Sequence, residues 1–120
     1  MPKKKRPTVL KGETTKVRTS CGSLYVTLDK DGGELCEVHL RMGKTGSCFV
    51  STLNMVSVLT STILQSEYDR AYLVKMFKRH MRDVSCGERF NFEGVNYKSC
   101  WDVVGKLCMD SLKEEKNEKG

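Results

Sequence analysis

The sequence is poor in several residue types and contains no long apolar run. It has two prolines, one tryptophan and two histidines among 120 residues. No window approaches the roughly 18 apolar residues of a membrane-spanning helix, and the N-terminus lacks the apolar segment of a secretory signal peptide. We therefore expect no membrane partner and a cytoplasmic location. The length suits one domain with one modest core, and we expect no multidomain enzyme.

The excess of positive charge lies near the N-terminus. Residues 1–18 contain seven basic side chains and one acidic side chain, which account for the whole net charge of +6. A basic run of this kind binds phosphate groups through counterion release without sequence preference, but it also occurs as a solvated, disordered arm. We predict a basic flexible arm over residues 1–12 and leave both interpretations open. Its candidate partner-binding residues are Lys3, Lys4, Lys5 and Arg6.

Alternating apolar and polar residues predict an antiparallel sheet. Residues 23–29 alternate, residues 30–33 have the composition of a tight turn, and Glu34–Met42 alternates again. Residues 15–19 are predicted to form a third strand that pairs with this hairpin. The sheet should therefore have one buried face and one polar face.

The pattern changes to helical spacing after the third strand. Three helices are predicted, at residues 47–65, 70–80 and 100–112, and residues 85–99 are predicted as a loop or short hairpin with its turn at Glu93 and Gly94. Strands followed by helices predict an α+β fold, a single domain with an antiparallel β-sheet and helices packed on one face. The domain should occupy residues 13–112, and a charged tail should follow over residues 113–120.

The segment between the third strand and the first helix is the strongest candidate for anion binding. Its glycines let backbone amides approach an anion, Lys44 adds charge, and a helix start presents unpaired N–H groups. A tight strand-to-helix turn explains the same glycines. A phosphate-binding P-loop is excluded, because the glycine that it needs five positions before the Gly-Lys pair is Val38 here. The candidate anion-binding residues are Gly43, Lys44, Thr45, Gly46 and Ser47, with Arg18 and Arg41 assisting.

A second basic cluster lies at the end of the second predicted helix. It contains Lys75, Lys78, Arg79 and Arg82. In one interpretation these cations form a surface for a nucleic acid or a protein partner. In the other they only complement the dipole of the helix.

The chain has six cysteines, but no two of them form a C-x-x-C pair. Without a signal sequence we expect reduced thiols rather than a disulfide framework. Cys36 and Cys108 fall on apolar faces and are predicted to lie in the core. Cys86 and Cys100 flank a loop, and a shared zinc ion or disulfide is kept there as a less favoured alternative.

No self-contained active site is recognisable from the sequence. His39 lies on the polar face of a strand and His80 in a basic helix end. Neither has a carboxylate or a serine at a convincing offset for acid–base or nucleophilic chemistry. We therefore expect a binding protein rather than an enzyme.

Many short motifs of the sequence occur in the same order as in a known protein module. They are Arg6-Pro7, Val9-Leu10, Gly12, Thr15, Val17, Thr19, Gly22, Leu24-Tyr25-Val26-Thr27, Glu37-Val38, Gly43-Lys44 and Gly46. This order resembles the TSCPD domain, which occurs at the C-terminus of adenosylcobalamin-dependent ribonucleotide reductases and in small standalone proteins. The segment Ser99-Cys100-Trp101-Asp102 resembles the motif that gives the domain its name, with tryptophan in the place of proline.

The resemblance covers about residues 6–112 and implies an accessory or regulatory relative of the reductase. The radical chemistry and the cobalamin site of the reductase belong to a much larger barrel that this chain does not contain, so no cobalamin is expected. Together with the anion-binding segment, the resemblance predicts a non-catalytic nucleotide-binding protein of deoxyribonucleotide metabolism that regulates or sequesters a nucleotide.

The alternative is an interaction module. Such a module would dock on a ribonucleotide reductase or on nucleic-acid machinery through the basic arm and residues 70–82. A homo-oligomer is expected in either case, because a small one-sided sheet often closes an exposed face or edge by assembly.

Overall fold

The computed structural model describes residues 9–42, 47–66, 69–86 and 89–119. Three long strands come first: β1 (Lys11–Thr19), β2 (Gly22–Asp31) and β3 (Glu34–Met42). The helices α1 (Ser47–Leu64) and α2 (Arg70–Phe77) follow, and one π-helical turn (Lys78–Arg82) extends α2. The chain ends with the short strands β4 (Phe90–Phe92) and β5 (Val95–Tyr97) and the helix α3 (Cys100–Lys119). This is the predicted single α+β domain.

The main sheet is antiparallel in the order β1-β2-β3. Gly32 and Gly33 connect β2 to β3 with φ angles of 58° and 89°, which a two-residue hairpin turn requires and which glycine adopts without a Cβ clash. β1 begins at Lys11, four residues before the predicted strand, so the described end of the predicted arm joins the sheet. Residues 1–8 of that arm lie outside the described residues.

A bulge in β3 corrects one core prediction. Asp29 stands opposite Glu37, but the next residue, Lys30, stands opposite Leu35, so Cys36 is an extra residue in the ladder. The bulge turns Leu35 into the core, where it is fully buried, and leaves Cys36 only half-buried. The prediction that Cys36 lies in the core is therefore wrong, and the prediction for the fully buried Cys108 is confirmed.

Helix α1 covers the free edge of β3 with polar side chains. Ser57 and Ser61 accept hydrogen bonds from the amides of Leu40 (3.0 Å) and Val38 (2.9 Å). One helical turn further along, Gln65 Nε2 donates to the carbonyl oxygen of Cys36 at 3.0 Å. The spacing of four residues on the helix matches the spacing of two residues on the strand. These bonds satisfy backbone groups of an edge strand that would otherwise be open to pairing.

The other helices pack on the buried face of the sheet. The core of this layer contains Leu73 and Phe77 from α2 and Val103, Val104 and Cys108 from α3, each at most 1% exposed. None of the helices within the described ranges is long and apolar enough to cross a membrane. The outer face of the sheet carries exposed polar side chains, among them Lys16, Arg18, His39 and Arg41.

The end of α3 differs from its prediction. The helix was expected to end near residue 112, but it continues to Lys119. Glu115, 4% exposed, forms a bidentate ion pair with Arg70 at 2.6 and 3.0 Å. Glu115 also accepts the amide of Leu35 at 2.6 Å, and Arg70 donates to the carbonyl oxygen of Leu35 at 2.7 Å. Helix α3 continues beyond residue 112 because the Glu115 carboxylate bonds it to Arg70 at the start of α2 and to Leu35 at the start of β3.

Candidate ligand-binding face of the sheet

The outer face of the sheet collects basic side chains around one tyrosine. Register pairs Lys16 of β1 with Tyr25 of β2, and Tyr25 with Arg41 of β3. The Lys16 Nζ atom lies 5.9 Å from the centroid of the Tyr25 ring, and the Arg41 guanidinium carbon lies 5.1 Å from it. Arg18, two residues along β1 from Lys16, donates from Nη1 to Ser23 Oγ at 3.4 Å. We call Lys16, Arg18, Tyr25 and Arg41 the basic patch.

The basic patch is exposed and keeps its positive charge. Lys16, Arg18 and Arg41 are all exposed, and no carboxylate within the described ranges pairs with any of them. The cation–π contacts with Tyr25 hold two of the cations above the sheet without neutralising them. The patch therefore presents three cationic side chains, with a total charge of +3, to a ligand approaching from solvent.

The sequence predicted part of this patch. Arg18 and Arg41 were candidate anion-binding residues, and the structure places them on the same face with Tyr25 between their strands. Residues 43–46 of the predicted anion-binding segment lie outside the described residues; Ser47 is the first residue of α1. Lys16 and Tyr25 were not singled out, although the alternation that buries Val17 and Leu24 already places both on the opposite face.

The second basic cluster divides into two parts. Lys75, Lys78 and Arg79 are exposed on α2 and the π-helical turn. Arg82 instead donates to the buried carboxylate of Asp102 at 2.7 Å. The structure thus gives Arg82 a bond that joins the π-helical turn to α3, whereas the other three cations remain available at the surface.

The two histidines were both expected to lack a carboxylate at a useful offset. For His39 this interpretation is wrong: its Nε2 atom lies 3.2 Å from Asp29 Oδ2 and 3.2 Å from Glu37 Oε1. Glu37 precedes His39 by two residues on the same strand, and Asp29 arrives from β2 through the strand register. The signal was the period of two along β3, which puts Glu37 and His39 on one face.

A groove of about 770 Å³ lies between the β1–β2 hairpin and α3. Its lining includes Leu28 and Leu107 and the charged side chains of Lys30, Asp110 and Glu114. Lys30 and Glu114 form an ion pair across it at 3.5 Å. Because the groove carries both signs of charge, it is a poorer match to a phosphate-bearing ligand than the basic patch.

Comparison with protein families identifies the chain. The family model for the TSCPD domain matches residues 1–110, a span that includes all five strands and both of the first two helices. The chain belongs to the TSCPD domain family. The match confirms the resemblance drawn from the order of short motifs. No curated protein and no solved structure matches the chain.

The segment of this TSCPD domain that resembles the naming motif forms the start of α3. Ser99 Oγ accepts the amide of Asp102 at 3.1 Å, the geometry of a helix N-cap. Asp102, 2% exposed, in turn accepts the amide of Lys98 at 2.9 Å and the Arg82 side chain. Trp101, in the place of proline, packs edge-on against Phe49 of α1 with 6.4 Å between ring centroids. In this chain the motif caps the N-terminus of α3 and joins that helix to the π-helical turn and to α1.

The cysteine of the same motif is buried. Burial raises the pKa of the Cys100 thiol above its ordinary value, and Thr19, Cys21 and Cys86 are among its electrostatic neighbours. Cys86 is exposed and donates from Sγ to the carbonyl oxygen of Lys98 at 3.5 Å. In the ranges that the structure describes, no set of three close metal ligands forms around Cys86 and Cys100. A zinc site at these two cysteines stays a prediction.

Proposed function

We propose that this TSCPD protein is a non-catalytic accessory or regulatory protein that binds a nucleotide on the basic patch. Membership of the family links the chain to the C-terminal region of ribonucleotide reductases. The observation that carries the proposal is the arrangement of Lys16, Arg18 and Arg41 around Tyr25 on an exposed sheet face. Binding, rather than turnover, is the role that these side chains support.

The chemistry of the basic patch suits the phosphates and the base of a nucleotide. Two arginines offer bidentate hydrogen bonds to phosphate oxygens, and the lysine adds a compact charge. Tyr25 offers a hydroxyl beside these cations, and the guanidinium plane of Arg41, which lies over the Tyr25 ring, offers a surface for stacking a base. The patch contains no carboxylate and no imidazole, which are the usual groups for proton transfer.

A thermal-shift panel of nucleotides tests the proposal. The panel contains ribonucleoside and deoxyribonucleoside mono- and triphosphates, with inorganic triphosphate as the arm that lacks a base. A nucleotide present at one hundred times its dissociation constant should stabilise the protein by about 2.7 kcal/mol. We expect a nucleoside triphosphate to raise the melting temperature more than inorganic triphosphate does, because only the nucleotide has a base to stack on the Arg41 guanidinium.

Two variants locate the effect. Arg41→Ala should remove most of the ligand-induced stabilisation, and Lys44→Ala measures the share of the predicted anion-binding segment. Lys78→Ala is the matched control, because it deletes an exposed cation on the π-helical turn rather than on the sheet. The proposal fails if no nucleotide stabilises the protein at saturation, or if Arg41→Ala and Lys78→Ala respond to nucleotide alike.

A second candidate function is an interaction module that binds an acidic partner through residues 70–82 and the basic arm. The observation that favours it is the exposure of Lys75, Lys78 and Arg79, which pair with no carboxylate in the described part of the chain. Their spacing of three and four residues places them on one side of the helix.

The salt dependence of binding separates the two functions. If Lys75, Lys78 and Arg79 form the binding surface, the affinity for a DNA duplex or an acidic protein should fall steeply as the salt concentration rises. The double variant Lys78→Ala/Arg79→Ala should reduce that slope and leave nucleotide stabilisation unchanged. An unchanged slope in this variant would exclude the α2 surface as the binding site.

A further inference from the structure

Two carboxylates and a histidine converge on the outer sheet face, four residues along β2 from Tyr25. Asp29 stands opposite Glu37 in register, and His39 follows Glu37 by two residues. The His39 Nε2 atom lies 3.2 Å from one oxygen of each carboxylate. In the part of the chain that the structure describes, this is the one group of three or more histidine, cysteine or acidic residues whose ligating atoms all lie within 4.8 Å of one another.

The spacing of these atoms fits the coordination sphere of a metal ion. Ligands held about 2.1 Å from a first-row divalent ion lie about 3.0 Å apart at right angles and about 3.4 Å apart at the tetrahedral angle. Both separations from His39 Nε2, 3.2 Å each, fall between these values. Two carboxylates directly opposite each other on neighbouring strands also repel, and a cation between them offsets that repulsion.

Glu37 is oriented from behind by a buried amide. Gln65 Nε2 donates to Glu37 Oε2 at 3.2 Å and to the carbonyl oxygen of Cys36 at 3.0 Å. Both Glu37 and Gln65 are buried, and Gln65 Oε1 has no hydrogen-bond partner among the described residues. The amide therefore fixes one carboxylate oxygen while the other faces His39. Outer hydrogen bonds of this kind orient the ligands of protein metal sites.

The backbone makes room for the Asp29 carboxylate. Gly12 is its register partner on β1, and a Cβ atom at that position would overlap Asp29 Oδ1. The bulge at Cys36 lies directly beside Glu37, and bulges commonly re-aim side chains next to functional sites. Gly12 thus leaves space for the Asp29 carboxylate, and the bulge at Cys36 changes the direction of β3 next to Glu37.

We propose that Asp29, Glu37 and His39 bind one first-row divalent metal ion. Two carboxylates and an imidazole favour ions such as Mn²⁺, Fe²⁺ or Zn²⁺ over Mg²⁺ and Ca²⁺, which take oxygen ligands. The side chain of His39 is 57% exposed, whereas those of Asp29 and Glu37 are 18% and 8% exposed. The ion therefore has protein ligands on its inner side and water on its outer side. This proposal does not rest on nucleotide binding.

Titration of the purified full chain with Mn²⁺ alone tests the site. Mn²⁺ is the probe because carboxylate ligands suit it while thiolates select other metals, so the cysteines do not compete. Electron paramagnetic resonance of free Mn²⁺ should show one saturable site per chain. His39→Ala should weaken binding at least tenfold, and His80→Ala, which removes the other exposed histidine, should leave binding unchanged.

The wild-type protein supplies a second readout that needs no variant. Bound Mn²⁺ should broaden the imidazole proton signals of His39 at a lower metal-to-protein ratio than those of His80. Asp31→Asn is the carboxylate control on β2 and should bind like the wild type, whereas Asp29→Asn should not. The proposal is overturned if Mn²⁺ shows no saturable binding, or if the two histidines broaden alike.

Discussion

At the scale of single residues, Cys108 shows how the core responds to ionisation. Its side chain is fully buried, and burial raises the pKa of the thiol from 9.0 to about 12. The folded protein therefore holds the neutral thiol at a pH at which the unfolded chain releases the proton. The stability that follows is fully present below pH 9 and is lost as the pH rises towards 12.

The change Cys108→Ala isolates this effect. Between pH 7 and pH 10 the wild type should lose about 1 kcal/mol more unfolding free energy than the variant, because only the wild type releases a proton at this position on unfolding. Urea unfolding under reducing conditions at the two pH values measures the difference. Equal losses in the two proteins would show that the Cys108 thiol ionises as readily in the folded state as in the unfolded chain.

Arg70 is the residue that most clearly fastens distant parts of the chain. It binds Glu115 at 2.6 and 3.0 Å and the carbonyl oxygens of Leu35 and Leu64 at 2.7 and 3.2 Å. The change Arg70→Met should cost about 3 kcal/mol of unfolding free energy, because it leaves the buried carboxylate without its cation. Adding Glu115→Gln should recover part of that loss.

The surface pair between Lys106 and Asp110 provides the comparison. Its atoms lie 2.9 Å apart, but both side chains are more than one third exposed. Lys106→Met should therefore change the unfolding free energy by less than about 0.5 kcal/mol. If Arg70→Met costs no more than Lys106→Met in chemical denaturation, the Arg70–Glu115 pair does not join these elements energetically.

At the scale of secondary-structure elements, α3 and the π-helical turn meet at Gly105. A Cβ atom at Gly105 would lie 2.8 Å from Met81 Cβ and 3.4 Å from the amide nitrogen of Arg82. Alanine is the better helix former by about 1 kcal/mol. Both obstructing atoms belong to the backbone or its first carbon, so no side-chain rotation relieves the overlap.

We predict that Gly105→Ala destabilises the protein by about 1–2 kcal/mol net, since overpacking outweighs helix propensity here. Chemical denaturation measures the change. Lys113→Ala, an exposed position on the same helix, should stay within about 0.5 kcal/mol of the wild type. A stability for Gly105→Ala equal to or above that of the wild type would contradict the close packing.

The sequence predicted those elements whose signals are local. Gly32 and Gly33, and the pair Glu93 and Gly94, mark two hairpin turns, and all four residues have positive φ. Alternation located Glu34–Met42 because one face of that strand is buried. The bulge at Cys36 was missed because it depends on how two strands align. The end of α3 was missed because the partner of Glu115 is 45 residues away in sequence.

The candidate site shows the same difference between residues with a local signal and residues that depend on strand pairing. Arg18 and Arg41 were predicted as cations that assist the anion-binding segment. Lys16 and Tyr25 complete the patch only when the three strands are in register. Asp29 reaches His39 for the same reason, since it arrives from the neighbouring strand. The sequence alone did not show which residues stand opposite each other on neighbouring strands, and both candidate sites depend on that register.

At the scale of the whole molecule, the two faces of the sheet differ: one packs against helices in the core, and the other carries the side chains of both proposed sites. Side chains of α2 and α3 form the core on the inner face, where a groove remains between α3 and the β1–β2 hairpin, and α1 bonds to the edge of β3. The outer face carries the basic patch and the carboxylate–histidine group. Helix α1 also exposes Met55, Val58 and Leu59, each more than half exposed. Homo-oligomerisation stays a prediction, and these side chains are where a charge substitution would test it.

The most direct test of the account is to locate the nucleotide on the wild-type protein. In a titration with ATP followed by amide nuclear magnetic resonance, the largest shifts should fall on Lys16, Arg18, Tyr25 and Arg41. Amides that line the groove, such as those of Leu107 and Ser111, should move little. Shifts concentrated in the groove or on α2, or none at saturating ATP, would contradict the claim that the outer sheet face is the nucleotide-binding surface.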